Sequence, residues 1–271
     1  MNCKLALYCK TYKGDFKRVK RLLDSIEQWN EDDIPFFISC PKLEEGMLED
    51  LIGDEGYTFI SDEEIYKIKN QLGGWEDQML IKLHAFDEIP ADNILILDSD
   101  AYFIKPFYIK DFIAYDNIPY TIMYENKQMM EYETLLKGGD YNNTGYAKAV
   151  RAYRTIFGGK GDKIYDYGPN PHLWNREVID SFKRTYLQVN NIKMEEFCLA
   201  MKSQYGIHFR ETLTYGEYLH AVRPIPIIPC GPFFKVYHWK ELYDFEVTNQ
   251  WFDKDKISKN YNGIILQSNW T

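Results

Sequence analysis

Residues 93–107 read NILILDSDAYFIKPF. Four apolar side chains, Ile94, Leu95, Ile96 and Leu97, run without a break into Asp98, Ser99 and Asp100. Such a run is how a strand covered on both faces reads, as in the middle of a parallel sheet. Carboxylates are almost never fully buried without a partner. The strand therefore ends either in a solvated turn, which Asp and Ser favour, or in two acids that hold a cation. Under the period-2 alternation of a strand, Asp98 and Asp100 point to one side and Ser99 to the other. Two same-facing carboxylates suit a hard divalent ion. Mg²⁺ or Mn²⁺ takes one or two carboxylates and fills its shell with water and ligand phosphate.

The segments before this strand alternate between strand and helix. Residues 5–9 form a short apolar strand, and Asp15 can cap a following helix whose Val19, Leu22, Leu23, Ile26 and Trp29 keep the 3.6-residue period. Residues 34–40 and 57–60 read as the next two strands, Ser61 with Glu64 has the pattern of a capping box, and residues 73–86 read as a helix. This alternation predicts parallel strands joined by crossover helices, an α/β, Rossmann-like open sheet flanked by helices. In such sheets ligands bind beyond the carboxyl ends of the strands, where Asp98 and Asp100 stand.

After Pro106 the rhythm loosens and the chain becomes more helical. A strand is expected over residues 118–124, helices over 127–136, 146–157, 176–189 and 195–205, and strands over 225–229 and 233–239. Residues 158–175 form a Gly-, Pro- and Asn-rich loop too long for a simple connector. No repeat or Gly/Ser linker divides the chain, so one domain over 1–271 is expected, residues 1–106 forming one half and 107–271 the other.

The net charge of −9 and the lack of a basic run argue against nucleic acid and against a polybasic membrane patch. An anionic ligand must be met by a few placed cations or by a metal. Five scattered cysteines, odd in number and without a CxxC pair, read as reduced thiols. With no signal peptide and no span-length apolar window, a cytoplasmic location without a transmembrane segment is expected. Aromatic residues make up 16%, with 22 tyrosines, which suits a concave site that stacks flat rings or sugar faces and equally suits a bias in codon usage.

ILILDSDAYFIKPF resembles the DxD segment of glycosyltransferases of the GT-A fold. The ordered set TYKGDFKRVKRLLDSI, GGWEDQMLIKL, DSDAYF, NPHLW and FRETLTYGEY, spread over residues 11–238 together with His238, is similar to the bacterial and viral glycosyltransferase-like group labelled DUF6492. The chain departs from that pattern at Arg210, where a small hydroxyl residue is expected before the glutamate. The resemblance implies that residues 1–106 bind a nucleotide sugar and that residues 107–271 form the acceptor side. It makes Asp100 the principal ligand of Mn²⁺ or Mg²⁺ and Asp98 the supporting one, in contact with ribose or a metal-bound water. His238 would complete the metal site.

The same resemblance places Thr11, Tyr12 and Asp15 at the nucleotide, with Tyr12 stacking on a uracil ring. Asp15 would accept from the edge of that ring, though capping alone also explains it. Gln78 shares a helix face with Trp75 and Lys82, and Lys82 is a cation for the diphosphate or a surface lysine laid along apolar neighbours. On the acceptor side, His172 and Trp174 lie in NPHLW, with Trp174 offering a ring face, and Tyr215, Gly216 and Tyr218 frame the site. Glu211 is the candidate general base of an inverting transfer, His172 and Glu217 the fallbacks.

The expectation is a metal-dependent transfer of sugar from a nucleotide-sugar donor, a UDP-sugar in first place, to a hydroxyl of a glycan or glycoconjugate. Two alternatives stand beside it. One is a haloacid-dehalogenase-type phosphatase with Asp98 as nucleophile, although Ala101 and Tyr102 follow Asp100 where Thr or Val is usual. The other is a carbohydrate-binding protein without turnover.

Overall fold

A computed structural model describes residues 2–68, 72–168 and 170–267. In the first half, strand β1 (Ala6–Lys10), helix α1 (Phe16–Trp29), β2 (Phe36–Cys40), α2 (Glu45–Ile52), β3 (Thr58–Ser61), α3 (Asp62–Ile65), α4 (Gly74–Glu88) and β4 (Asn93–Ile96) follow one another. The strands stand in the order β3-β2-β1-β4 and are parallel throughout. This is the expected α/β sheet. The capping box that starts α3 is present, with Glu64 N donating to Ser61 Oγ at 3.2 Å and Ser61 N to Glu64 Oε2 at 2.8 Å.

Strand periodicity sorts the core into layers. Ala6 and Tyr8 of β1 and Ile94 and Ile96 of β4 pack on one face with α4 and helices from the second half, while Leu7, Cys9, Leu95 and Leu97 pack on the other with α1 and α2. Burying each of these aliphatic side chains stabilises the fold by roughly 1.5–3 kcal/mol. Asp15 does precede α1, but its carboxylate pairs with Arg18 and makes no capping hydrogen bond.

The second half contains β5 (Ala101–Phe103), β6 (Ile113–Tyr115), β7 (Ile118–Pro119), β8 (Thr121–Ile122), α5 (Lys127–Glu131), α6 (Gly145–Ile156), β9 (His172–Asn175), α7 (Arg176–Phe182), α8 (Met194–Tyr205), α9 (Glu211–Val222), β10 (Pro229–Cys230), β11 (Phe234–Tyr237), α10 (Lys240–Thr248), α11 (Lys254–Ile257) and β12 (Gly263–Leu266). Several expectations are corrected here. Residues 118–124 are two short strands, because Ile118 and Pro119 pair with β6 while Thr121 and Ile122 pair with β10. Only Pro229 and Cys230 of the Pro-interrupted stretch 225–229 and its neighbour form a ladder, since proline donates no hydrogen bond. The long loop ends early, in β9, which joins the main sheet antiparallel to β4. A second sheet, β11-β12-β5, starts directly after Asp100. Among the described residues no helix is long and apolar enough to cross a membrane.

Helix α9 is anchored by a buried ion pair. Arg154 donates from Nε to Glu217 Oε2 at 2.9 Å and from Nη2 to Oε1 at 2.7 Å. Its Nη1 reaches the carbonyls of Gly161 and Lys163, and Tyr167 Oη donates to Glu217 Oε1 at 2.8 Å. Both oxygens of Glu217 are thus committed to structure, which corrects its place as a fallback base. Glu217→Ala leaves a buried guanidinium uncompensated and should cost roughly 3–5 kcal/mol in urea unfolding. A loss below about 1 kcal/mol, the range of exposed pairs, would show that α9 does not depend on this pair.

Candidate active site

Strand β4 stops at Ile96, and Asn170 holds its end. The Asn170 side chain donates to Ile96 O at 3.0 Å and accepts from Asp98 N at 2.7 Å. A turn follows, with Ala101 N donating to Asp98 O at 3.0 Å. The period-2 argument that set Asp98 and Asp100 on one side therefore does not apply, because the strand has ended before them. Asp100 is buried, and its carbonyl accepts from Arg21 Nη2 at 3.1 Å and from Leu266 N at 3.3 Å. The turn is thereby fixed to α1 and to the second sheet.

Lys82 projects from the buried face of α4 and is only 3% exposed. Its Nζ donates to Asp98 Oδ1 at 2.8 Å and lies 3.8 Å from Glu211 Oε1. It is no surface lysine laid along apolar neighbours. Burial opposes its charge, but Asp98 and Glu211 outweigh that and raise its pKa. Burial also works against ionisation of Asp98, yet the Lys82 ammonium holds that carboxyl below its usual range. Glu211, the first residue of α9, has its pKa raised by burial, with Lys82 pulling the other way. Beside them His172 is pushed down to about 3 by burial and by the Lys82 charge, so its imidazole is neutral.

Two cavities reach chain neighbours of this cluster, one lined by Ile81 beside Lys82 and the other by Arg210 beside Glu211. The larger, about 740 Å³, lies beyond the carboxyl ends of β1, β2 and β3 and is lined by Tyr12, Asp62, Tyr66, Trp75, Gln78 and Ile81 among others. Tyr12 is 51% and Trp75 45% exposed, so both rings are open to a flat ligand. Lys10 pairs with Asp62 at 2.8 Å on its wall. The smaller cavity, about 410 Å³, is lined by Asn126, Tyr146, Asp166, Gly168, Arg210 and His238 among others. Asn126 Nδ2 and Gly168 N donate to Asp166 at 2.7 and 3.1 Å. A third groove, about 790 Å³ around Arg223 and Ile225, shares no lining residue with either.

The structure thus brings Lys82, Asp98, Glu211 and His172 together and sets Tyr12 and Gln78 in the larger cavity. Thr11 is buried at the end of β1, where its carbonyl accepts from Lys10 Nζ at 2.6 Å. Asp15 turns to Arg18 instead, and His238 lines the smaller cavity, where burial lowers its pKa against the pull of Asp166. Trp174 is 2% exposed and stacks on Tyr215 at 5.4 Å, so it offers no ring face to a sugar. Tyr215 Oη accepts from Asn175 N, and Tyr218 Oη bonds Ser181 and Thr185. Those two rings are buried core as well, and Gly216 packs where a Cβ would meet the Tyr167 ring. Lys10, Asp62, Asp166 and Asn170 were not singled out in the sequence. The Asn-Pro at 170–171 in the Gly- and Pro-rich loop was the one signal for Asn170.

Among the described residues no group of three or more His, Cys, Asp and Glu side chains gathers as a metal cage. The Asp98 side chain nevertheless keeps 42% of its surface open, with only Oδ1 given to Lys82. That donor fits an ion of the Mg²⁺ type, bound by one or two carboxylates and completed by water and ligand oxygens.

The fold, with its parallel central sheet, is of the GT-A type. Over residues 3–221 the chain matches, and belongs to, a family of unknown function, DUF6492. Its structure is similar to that of mouse xyloside xylosyltransferase 1 in the apo form, at 8% identity and a TM-score of 0.51, over 98% of this chain and 99% of that one. It also matches the galactosyltransferase LgtC in complex with donor and acceptor sugar analogues, at 12% identity and a TM-score of 0.48, over 96% and 86% of the two chains. No curated protein matches the sequence.

The lowered His172 pKa has a sign. The folded protein refuses a proton that the unfolded chain accepts below 6.5, so this contribution is present above that value and is lost as pH falls toward about 3. The slope is at most about 1.4 kcal/mol per pH unit. His172→Gln should flatten the acid limb of stability against pH between those limits, read by denaturant melts. An unchanged limb would mean that His172 takes up a proton in the folded state.

Proposed function

We propose that this chain is a metal-dependent glycosyltransferase that moves a sugar from a nucleotide-sugar donor to a hydroxyl of a glycan or glycoconjugate. The observation that carries the reading is the buried Lys82 bridging Asp98 and Glu211, next to a parallel sheet whose carboxyl edge opens into the larger cavity. The larger cavity takes the nucleoside, with Tyr12 and Trp75 as ring faces, and a uracil base is favoured. The smaller cavity, walled by Tyr146, Asp166 and His238, takes sugar. The phosphatase alternative draws no support from this fold.

Asp98 and Asp100 would hold Mg²⁺ or Mn²⁺, which when bound supplies positive charge to the leaving diphosphate. His238 remains a further candidate ligand. Glu211 deprotonates the attacking acceptor hydroxyl, which makes the transfer inverting. Its raised pKa makes it a stronger base than an exposed carboxylate, closer to the range that suits proton transfer near neutrality. Lys82 keeps Asp98 ionised and stands as a fixed positive charge beside the reacting groups.

Nucleoside diphosphates with and without Mn²⁺ should separate this reading from simple sugar binding. A diphosphate at about 100 times its Kd stabilises the fold by ~2.7 kcal/mol, and Asp98→Asn should remove the metal-dependent share of the shift. Glu211→Gln should lower turnover by roughly 10²–10⁴-fold while diphosphate binding stays. Near-normal turnover in that variant would exclude a glutamate base and favour retention of configuration.

A further inference from the structure

Arg210 immediately precedes Glu211 at the start of α9. Its main chain is fixed, since its N donates to Tyr153 Oη at 2.9 Å and its carbonyl accepts from Thr214 N and Oγ1 at 3.0 and 2.9 Å. Its guanidinium lies 5.7 Å from the Trp75 ring and 5.9 Å from the Tyr146 ring. Trp75 lines the larger cavity, and Tyr146 and Arg210 line the smaller. Among the described residues it forms no ion pair within 4.0 Å and no side-chain hydrogen bond.

The charge count around the cluster shows why this matters. Lys82 is already answered by Asp98 and Glu211, and Lys10 by Asp62. Neither has charge to spare for a diphosphate in a protein of net charge −9. Lys67, which forms no ion pair among the described residues, is on an exposed rim of the larger cavity. A guanidinium seated between aromatic faces keeps all five N–H donors free at its edge and can grip a phosphate bidentately.

We propose that Arg210 clamps the diphosphate of the donor between the Trp75 wall of the larger cavity and the Tyr146 wall of the smaller, a reading that rests on the proposed nucleotide-sugar site. The nucleoside then lies on the Trp75 side and the sugar on the Tyr146 side, with Arg210 gripping the phosphoryl oxygens between them.

The test is calorimetric titration of UDP, GDP, CDP and ADP, each beside its nucleoside, into wild type, Arg210→Gln, Arg210→Lys and Lys67→Gln in Mn²⁺. For the diphosphate that wild type prefers, Arg210→Gln should weaken binding roughly 10- to 100-fold. The matching nucleoside should bind as before, Arg210→Lys should fall between, and Lys67→Gln should change little. Unchanged thermal melts would show that the variants fold. Equal loss for nucleoside and diphosphate would overturn the clamp by making Arg210 a wall residue. So would unchanged diphosphate binding accompanied by a raised acceptor KM, which would move Arg210 to the acceptor. If wild type binds no diphosphate, the donor site itself fails and the clamp with it. If wild type binds and Arg210→Gln binds equally well, only the clamp fails.

Discussion

An ammonium group buried as deeply as Lys82 must have carboxylates brought to it, and meeting that demand joins three distant parts of the chain. Lys82 sits in the middle of α4, Asp98 follows β4, and Glu211 begins α9. The desolvation penalty of one unpaired charge is several kcal/mol, so none of the three elements can shift far without exposing or stranding a charge. The surrounding structure serves this arrangement. Asn170 ends β4 at the right residue, Arg21 and β12 hold the turn at Asp100, and the Arg154–Glu217 pair fixes α9. Helix α9 thus carries two charge clusters, the first at Glu211 beside Lys82 and the second at Glu217, which anchors the helix to Arg154.

The parts of the fold legible in the sequence are those whose signals are local. Residues 94–97 announce a central strand because both faces are covered, and the β-α alternation before them follows from period alone. The Ser61–Glu64 capping box is written in two residues and is found in the structure. What was not legible depends on partners far along the chain. Strand β9 reads HLWN, too short for a period, and exists because β4 offers it an edge. Strand β12 reads GIIL, as strand-like as ILIL, but its meaning depends on β5 and β11, which flank it on its two edges, β5 from far earlier in the chain.

The candidate site divides in the same way. The pairing of Lys82 with two acids was hidden in residues 82, 98 and 211, and no spacing rule links them. The aromatic residues misled for a related reason. The resemblance offered Trp174 as a ring face for sugar and Tyr215 and Tyr218 as the frame of that site, yet each is buried, and both tyrosine hydroxyls have hydrogen-bond partners inside. A tyrosine with its hydroxyl satisfied is a good core residue, so abundance alone could not place these rings at a surface. The rings that are open, Tyr12 and Trp75, stand at loop and helix starts beyond the strand ends.

Charge economy links the fold to the ligand the site is suited for. A protein of net charge −9 repels an anion at long range, so binding must come from short contacts in a partly enclosed place where water is displaced and each charge counts for more. The cavity walls combine neutral or paired groups with very few free cations, an arrangement that favours a ligand bringing its own counter-ion. A diphosphate chelating a divalent cation is such a ligand. It presents less net charge than the bare anion, and on the proposed reading its metal would give the acidic turn after β4 a partner beside Lys82, whose ammonium is already shared between two carboxylates.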